Sequence, residues 1–310
     1  MLKYVVNRLL WLPLLLVIIS FITFALGVYG PGDPVQQLLG QRSDPETVAR
    51  IRREMGLDRP LLVQYADYVW GALHGDLGES ITVARGQPVA KLIARGLWVS
   101  VQLNAVAIAL GVVVGIPLGV LAAVRRNTLL DYLTTASVVM GISFPTFLTA
   151  PILLWFFSYK LRLLPPGGWD GLFSKSVILP ALVLGAGPIA VFARQTRANL
   201  AEVLDQDYVR TARAKGLPEL LVLGRHALRN ALIPLVTILG LMLGGLVTGS
   251  FITETIFGIP GIGRLGFRAF SARDYPVLTA LTLLIAVSYT LANLLVDIMY
   301  AFIDPRIRYQ

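Results

Sequence analysis

Residues 194–234 read RQTRANLAEVLDQDYVRTARAKGLPELLVLGRHALRNALIP, and they form the one long polar stretch in the second half of a mostly apolar chain. The stretch holds seven Lys/Arg and four Asp/Glu in 41 residues. One apolar run ends just before it near Phe192, and another begins near Ala231. A polar stretch between two such runs predicts a loop that joins two membrane spans.

The loop itself carries helix signals. Four residues recur at every fourth position with charged residues between them: Leu200, Leu204, Tyr208 and Ala212. This spacing predicts an amphipathic helix. Gly216 can adopt the left-handed conformation that ends a helix, and Pro218 suits the first turn of the next one. We therefore predict two short helices joined at residues 215–217, a rigid knob suited to docking a partner protein.

Composition places the chain in the membrane. Of its 310 residues, 55% are hydrophobic and 15% are charged, against about 25% charged in soluble domains. The chain has no cysteine, which excludes a disulfide framework and a cysteine nucleophile. Its net charge of +9 is typical of basic loops beside apolar spans, so nucleic acid is not expected as a partner.

The apolar runs predict an all-α integral membrane protein with six transmembrane helices. We place the spans at about residues 9–29, 97–124, 132–159, 177–193, 231–253 and 277–303. The first run could instead be a signal peptide, but it is longer than the usual 7 to 15 apolar residues, which favours a retained anchor.

The predicted organisation has four parts: an anchor helix at 1–29, a small helical extramembrane domain at 30–96, a five-helix core at 97–303 that includes the loop 194–230, and a tail at 304–310. The second part opens with a turn signal at 31–34 and has helix signals near residues 43–55 and 60–72.

Glycine and proline mark packing and breaks within the spans. Gly111, Gly115 and Gly119 lie on one helical face, a pattern that lets two helices approach closely in lipid. Pro145 and Pro151 are expected to bend the third span. Pro180 and the sequence GAGP at 185–188 are expected to interrupt the fourth.

Lys/Arg counts predict the orientation. The two termini, the short loop at 125–126 and the loop 194–230 together hold 13 basic residues. The short loops assigned to the opposite side hold 6. Both termini and the loop 194–230 are therefore predicted to be cytoplasmic. The 30–96 segment adds 8 basic residues to the opposite side. If all 8 of these residues were counted, the two sides would hold nearly equal numbers of basic residues, and the count would not decide the orientation.

The predicted spans lack the ionisable groups that would let the chain drive transport without a partner. Apart from Asp297, no Asp, Glu, His or Arg lies inside them away from their ends, which argues against ion coupling. Asp297 is either a structural hydrogen-bonding group or part of an inner gate. The chain has no Gly-x4-Gly-Lys-Ser/Thr phosphate loop, so it is not predicted to be an ATPase or any other enzyme. Energy is expected to arrive through a partner.

The sequences DYVRTARAKG and RHALRNALIP resemble the cytoplasmic EAA loop of permease subunits in binding-protein-dependent ABC importers, in the B-type form of the dipeptide and oligopeptide permeases. Arg210, Thr211 and Ala212 stand where the general family has Glu-Ala-Ala, and Gly216 stands at its glycine. Further matches run along the chain in the expected order: PGDPV at 31–35, GLDRPLLVQY at 56–65, GDLGES at 75–80, ETIFGIPGIGRL at 254–265 and DPRIRY at 304–309.

The resemblance implies a type I importer permease of the inner membrane. The 30–96 domain would be extracytoplasmic, and the chain would carry no cofactor of its own. Its partners would be a second permease subunit, two ATPase subunits that hold ATP and Mg, a solute-binding protein and membrane lipid. The residues expected to couple to the ATPase are Asp207, Tyr208, Arg210, Thr211, Ala212, Lys215, Gly216, Leu217 and Arg225.

The same resemblance places residues 254–276 at the outer mouth, where we expect Glu254, Phe257, Pro260 and Gly261 to contact the binding protein or form the outer gate. A re-entrant hairpin with only a packing role is the alternative. Polar residues offered for the pathway are Thr146, Thr237, Thr248 and Asn293.

Several functions remain open from the residues alone. The resemblance implies import of di- and oligopeptides as the leading hypothesis. The same machine could carry nickel chelates, glutathione or oligosaccharides. A secondary transporter or a membrane scaffold would be a different class of protein.

Overall fold

The computed structural model of this chain describes residues 2–29, 35, 44–54 and 56–303. The predicted turn at 31–34, the side chain of Asp297 and the tail at 304–310 lie outside these residues. Within them every regular element is a helix, and Glu79 and Pro88 form an isolated β-bridge. The predicted all-α fold is confirmed.

The helices are numbered here in chain order: α1 (Leu2–Tyr29), α2 (Pro45–Glu54), α3 (Leu61–Leu73), α4 (Val89–Val124), α5 (Leu129–Ser143), α6 (Thr146–Lys160), α7 (Ile178–Leu204), α8 (Asp207–Ala214), α9 (Glu219–Ala231), α10 (Ile233–Gly244), α11 (Phe251–Ile256), α12 (Ile262–Ser271) and α13 (Tyr275–Ile303).

The chain forms two compact units. The first contains the described residues up to Ser100, Val247–Thr255 and those from Pro260 onward. The second contains Val101–Leu246 and Ile256–Ile259. In the first unit, α1 packs against α13, and a core cluster joins the start of α4 to α12 and α13. In the second, α4 and α5 pack on α7.

The described helices account for three of the six predicted spans, or for five if each bent pair counts as one span. Among the described residues, α4, the stretch Lys175–Leu204 and the stretch Tyr275–Leu294 are each long and apolar enough to cross a membrane. Two bent pairs, α5 with α6 and α9 with α10, count as further spans if each pair is one span. The described apolar part of α1, Pro13–Tyr29, is shorter.

The glycine face of α4 packs on α7, as predicted. A Cβ on Gly111 would lie 2.5 Å from Pro188 Cβ, and one on Gly115 would lie 2.6 Å from the Ile189 carbonyl oxygen. Glycine is required here because the two backbones approach too closely for a side chain.

The predicted interruption of the fourth span is wrong, because α7 runs unbroken through Pro180 and Pro188. Pro180 lies in the first turn, where a backbone N–H has no intrahelical partner to lose. Pro188 lies inside α7 and packs closely against Gly111 of α4.

The predictions for the third span are half right. α5 ends at Ser143 and Pro145 precedes the first residue of α6, so Pro145 marks a break. Pro151 lies inside α6, and the helix continues past it as a π-helical turn at Leu154–Lys160. Two helix ends differ from the predicted span bounds: α4 starts eight residues before 97, and α10 ends at Gly244 and is followed by a 3-10 turn to Val247.

Candidate functional site: the central loop and the outer loop

The central loop is a knob made by the end of α7, by α8 and by the start of α9, all in the second unit. The predicted single helix through residues 200–212 was wrong, because the chain breaks after Leu204 and Gln206 takes an extended conformation before α8. Asp207 opens α8, where its negative charge is favourable beside the helix N-terminus.

A small apolar core holds the knob together. Its buried members are Ala123, Leu200, Val209, Ala212, Val222, Ala227 and Ala231. Leu204 and Leu217 pack against this cluster. Leu200 and Ala212 of the predicted apolar face are buried, as expected. Tyr208 is exposed, and Val209 is buried in its place. The reason is that the break at Gln206 changes the register between the two helices.

Gly216 ends α8 as predicted, with φ at +76°. The N–H of Leu217 donates to the Ala212 carbonyl at 3.4 Å, and the N–H of Gly216 donates to the Arg213 carbonyl at 2.9 Å. This pair of bonds is the Schellman arrangement, which closes a helix by a left-handed residue. The direction in which α9 leaves the turn is thereby fixed.

An ion pair spans the same turn. Arg213 Nη2 donates to Glu219 Oε1 at 2.7 Å and Arg213 Nε donates to Oε2 at 3.2 Å. Such a two-point contact fixes orientation as well as distance. It joins the last turn of α8 to the first residue of α9, and as an exposed pair it adds little to the geometry that the core sets.

The outer surface of the knob combines charged and apolar side chains. The exposed residues among those predicted to couple are Asp207, Tyr208, Arg210, Thr211, Lys215, Gly216 and Arg225, whereas Ala212 is buried and Leu217 is half-buried. Leu220 is 87% exposed on the first turn of α9. Leu220 was not predicted from the sequence, although an apolar residue lying off the buried face of α9 was the available signal.

The base of the knob is tied to α5. Arg197 of α7 donates to Asp131 through Nε at 2.6 Å and Nη2 at 2.8 Å. The Asp131 side chain is only 1% exposed and also accepts from the Asn127 N–H at 3.0 Å. A buried carboxylate held by a guanidinium is costly to break from one side. The pair could not be predicted from a local pattern, because its two residues are 66 positions apart in the sequence.

The outer loop, in the first unit, is organised by Glu254. Its carboxylate is fully buried and accepts from the Ser100 hydroxyl at 2.7 Å and from the Arg264 N–H at 2.9 Å. Ser100 Oγ in turn accepts from the Ile262 N–H at 2.9 Å. A Cβ on Gly261 would collide with the Glu254 carboxylate, so glycine is required there.

The predicted outer residues lie in different environments. Glu254, Phe257 and Gly261 are buried, and Pro260 is exposed. In the second unit, the Phe257 carbonyl accepts from the Gly168 N–H at 2.8 Å. Of these four residues, Pro260 is the one that presents its side chain to the surroundings.

Asp274 forms a clasp that the sequence did not reveal. It lies just before α13, is fully buried, and accepts from the Ser80 hydroxyl at 2.5 Å and from three backbone N–H groups at residues 81–83, at 2.9 to 3.2 Å. Burial raises the pKa of Asp274, but these four hydrogen bonds outweigh it, so its pKa lies below the ordinary value.

Three of the four predicted pathway residues are half-buried, and the fourth is exposed. Thr146 and Thr237 are half-buried in the second unit, and Thr146 lines a largely apolar groove of about 500 Å³ with residues of α7. In the first unit, Asn293 is half-buried and Thr248 is exposed.

Comparison with known families decides the assignment. Residues 1–86 match the N-terminal region of the binding-protein-dependent transport system membrane component, and residues 115–309 match the binding-protein-dependent transport system inner membrane component. The chain belongs to this family. The predicted membership of the permease subunits of binding-protein-dependent ABC importers is confirmed.

Full-length relatives point to the same class. The glutathione transport system permease protein GsiC of Escherichia coli K12 is 43% identical over 310 residues, all of both chains. The protein of the same name from Salmonella typhimurium is 42% identical over the same length. This chain is a permease subunit of a binding-protein-dependent ABC importer, a multi-pass protein of the inner membrane.

Solved structures share the fold at low identity. An inward-facing structure of the MetNI methionine ABC transporter has a TM-score of 0.58 at 22% identity, over 69% of this chain and 97% of that one. A structure of an amino acid ABC transporter with histidines gives 0.52 at 15%, over 70% of this chain and 94% of that one.

Proposed function

We propose that this permease subunit forms, with a second permease subunit, the pathway for small peptides, glutathione among them. An extracytoplasmic binding protein delivers the solute, and two ATPase subunits supply the work. Both termini and the knob face the cytoplasm, and the 30–96 segment faces outward. ATP and Mg belong to the ATPase subunits.

The preorganised knob is the observation that carries this proposal. Its core and the Gly216 turn hold one geometry, to which the exposed Arg213–Glu219 pair adds little, so little conformational entropy is lost when a partner binds. Tyr208, Arg210 and Leu220 present aromatic, cationic and apolar contacts on its surface, and buried Tyr, Arg and apolar anchors dominate many protein interfaces.

The proposed coupling roles divide by burial. Ala212 and Leu217 support the knob from inside, whereas Asp207, Thr211, Lys215 and Arg225 contribute to its rim. The Asp131–Arg197 pair connects the base of the knob to α5 and α7. Movement of an ATPase subunit bound to the knob is thereby passed to two membrane helices rather than absorbed in the loop.

The docking role is tested with Leu220→Asp, which alters an exposed side chain and leaves the core of the knob intact. We expect ATPase co-purification to fall about tenfold, since an apolar anchor worth about 1.4 kcal/mol is lost. Leu163→Asp is the control, because Leu163 is also well exposed but lies in the loop between α6 and α7. Equal ATPase recovery in wild type and Leu220→Asp would refute docking through this face.

The cargo is tested on the assembled importer in proteoliposomes. The glutathione name belongs to relatives that are 43% identical over the whole chain, which favours glutathione over other solutes. We expect ATP-dependent uptake with binding protein loaded with glutathione or a dipeptide, and none with an oligosaccharide or a nickel chelate. Uptake of only one of the latter pair would replace the peptide assignment and leave the docking role untouched.

A further inference from the structure

A cavity of about 350 Å³ lies in the first unit, where α1 ends and α13 begins. Its walls come from these two helices, from α3 and from the segment that joins α2 to α3. The apolar part of α1 ends at Tyr29 and the span in α13 begins at Tyr275. The cavity therefore lies at a boundary between membrane and water, whichever way the chain is oriented.

The walls of the cavity change in character from one side to the other. Phe24 and Val28 of α1 and Tyr275 of α13 give an apolar and aromatic side, while Arg59 and Asp67 give a charged side. A cavity with one apolar side and one charged side at a membrane boundary fits an amphiphile better than a fully water-soluble molecule.

The charged side of the cavity is an ion pair with no net charge, and each of its two side chains can bind a ligand group instead. Arg59 Nη1 lies 3.1 Å from Asp67 Oδ2, and the side chains are 58% and 63% exposed. Such a surface pair contributes at most about 1 kcal/mol, so a ligand can replace each partner at little cost. A ligand that brings both an anion and a cation keeps the pair balanced, whereas a purely anionic ligand leaves Asp67 facing like charge.

Tyr68 adds a hydrogen-bond donor to the lining. Its hydroxyl is buried and has no hydrogen-bond partner within the described part of the chain. Burial raises the pKa of Tyr68 to about 12, with a smaller contribution from Tyr65, so the hydroxyl keeps its proton at neutral pH. Its ring lies 5.2 Å from that of Phe24. Buried hydroxyls in proteins are nearly always paired, so an acceptor is expected from a ligand.

We propose that this cavity binds a zwitterionic phospholipid with a primary ammonium group, the chemistry of phosphatidylethanolamine. The phosphate binds Arg59, whose guanidinium suits phosphate oxygens. The ammonium group binds Asp67, an ester oxygen accepts from Tyr68, and an acyl chain lies against Phe24 and Val28.

The test uses the assembled complex, purified from membranes that contain equal amounts of phosphatidylethanolamine and phosphatidylglycerol. Native mass spectrometry counts the lipids that remain bound. We expect phosphatidylethanolamine to be retained about tenfold over phosphatidylglycerol. The double variant R59A/D67A is expected to abolish that preference, and Tyr68→Phe to weaken retention several-fold at unchanged melting temperature.

The matched control is R53A/D58A, which removes the same two charges from exposed positions that do not line the cavity. It is expected to retain lipid like wild type. Equal retention by the two double variants would overturn the site, and equal retention of both lipids would overturn the zwitterion assignment. If a soluble dipeptide occupied the cavity in the lipid-free complex, and lipid were not preferred to it, the lipid proposal would also be overturned.

Discussion

At the scale of single residues, Gly216 decides whether the knob keeps its shape. No atom lies within 4 Å of where its Cβ would be, so a substitution there meets backbone strain and not a clash. We expect Gly216→Val to cost about 1–2 kcal/mol and to reduce uptake sharply, because a β-branched residue is unfavourable at positive φ.

Gly216→Asn is the matched control, since asparagine tolerates the left-handed region. Uptake by membrane vesicles should therefore fall in the order glycine, asparagine, valine. If valine and asparagine were equally harmful, backbone conformation would not be the cause.

Asp274 predicts a pH dependence in the first unit. Its folded pKa lies below the unfolded value of about 3.9, so its contribution to stability is fully present above that pH and is lost as pH falls through the folded pKa. We expect Asp274→Asn to lower the melting temperature at pH 7 and to reduce the loss of stability on acidification below pH 4. Thermal unfolding of the purified protein at several pH values measures both effects, and parallel curves for wild type and variant would contradict the assignment.

At the scale of helices, the close packing of α4 on α7 limits what can replace its glycines. A Cβ on Gly115 would lie 2.6 Å from the Ile189 carbonyl oxygen and 2.9 Å from Phe192 Cβ. We expect Gly115→Leu to destabilise by about 1–3 kcal/mol or more, since neither helix can move without losing other contacts. The yield and melting temperature of the membrane-extracted protein measure this.

Val113→Leu serves as the control, because Val113 is 69% exposed on the other side of the same π-helical turn. Comparable loss in both variants would show that the turn itself, and not its packing on α7, limits stability.

Proline shows how far helix boundaries can be predicted from sequence. Pro145 breaks the third span as expected, because it removes an N–H at a point where α5 already ends. Pro188 does not break the fourth span, and α4 packs closely against it there. The residue type is the same in both cases, so it does not by itself decide where a helix ends.

At the scale of the whole molecule, the orientation can be tested directly because the chain has no cysteine. Lys215→Cys introduces one thiol on the knob, and Phe173→Cys introduces one at a position that is 99% exposed. We expect a membrane-impermeant maleimide to label Phe173→Cys in intact spheroplasts and Lys215→Cys only after lysis. The reverse pattern would place the knob outside and would remove the basis of ATPase docking.

The sequence by itself determined the all-α membrane class, the positions of the apolar runs, the Gly216 turn and the family. These features depend on hydropathy, on glycine conformation and on local motifs, all of which act over a few residues. The tertiary structure alone decided that Asp131, Glu254 and Asp274 are buried and what holds them. Their partners Arg197, Ser100 and Ser80 lie 66, 154 and 194 residues away, so no local pattern could pair them. A buried carboxylate is stable only when its hydrogen-bond donors are in place, and it is the packing of distant segments that brings those donors to it.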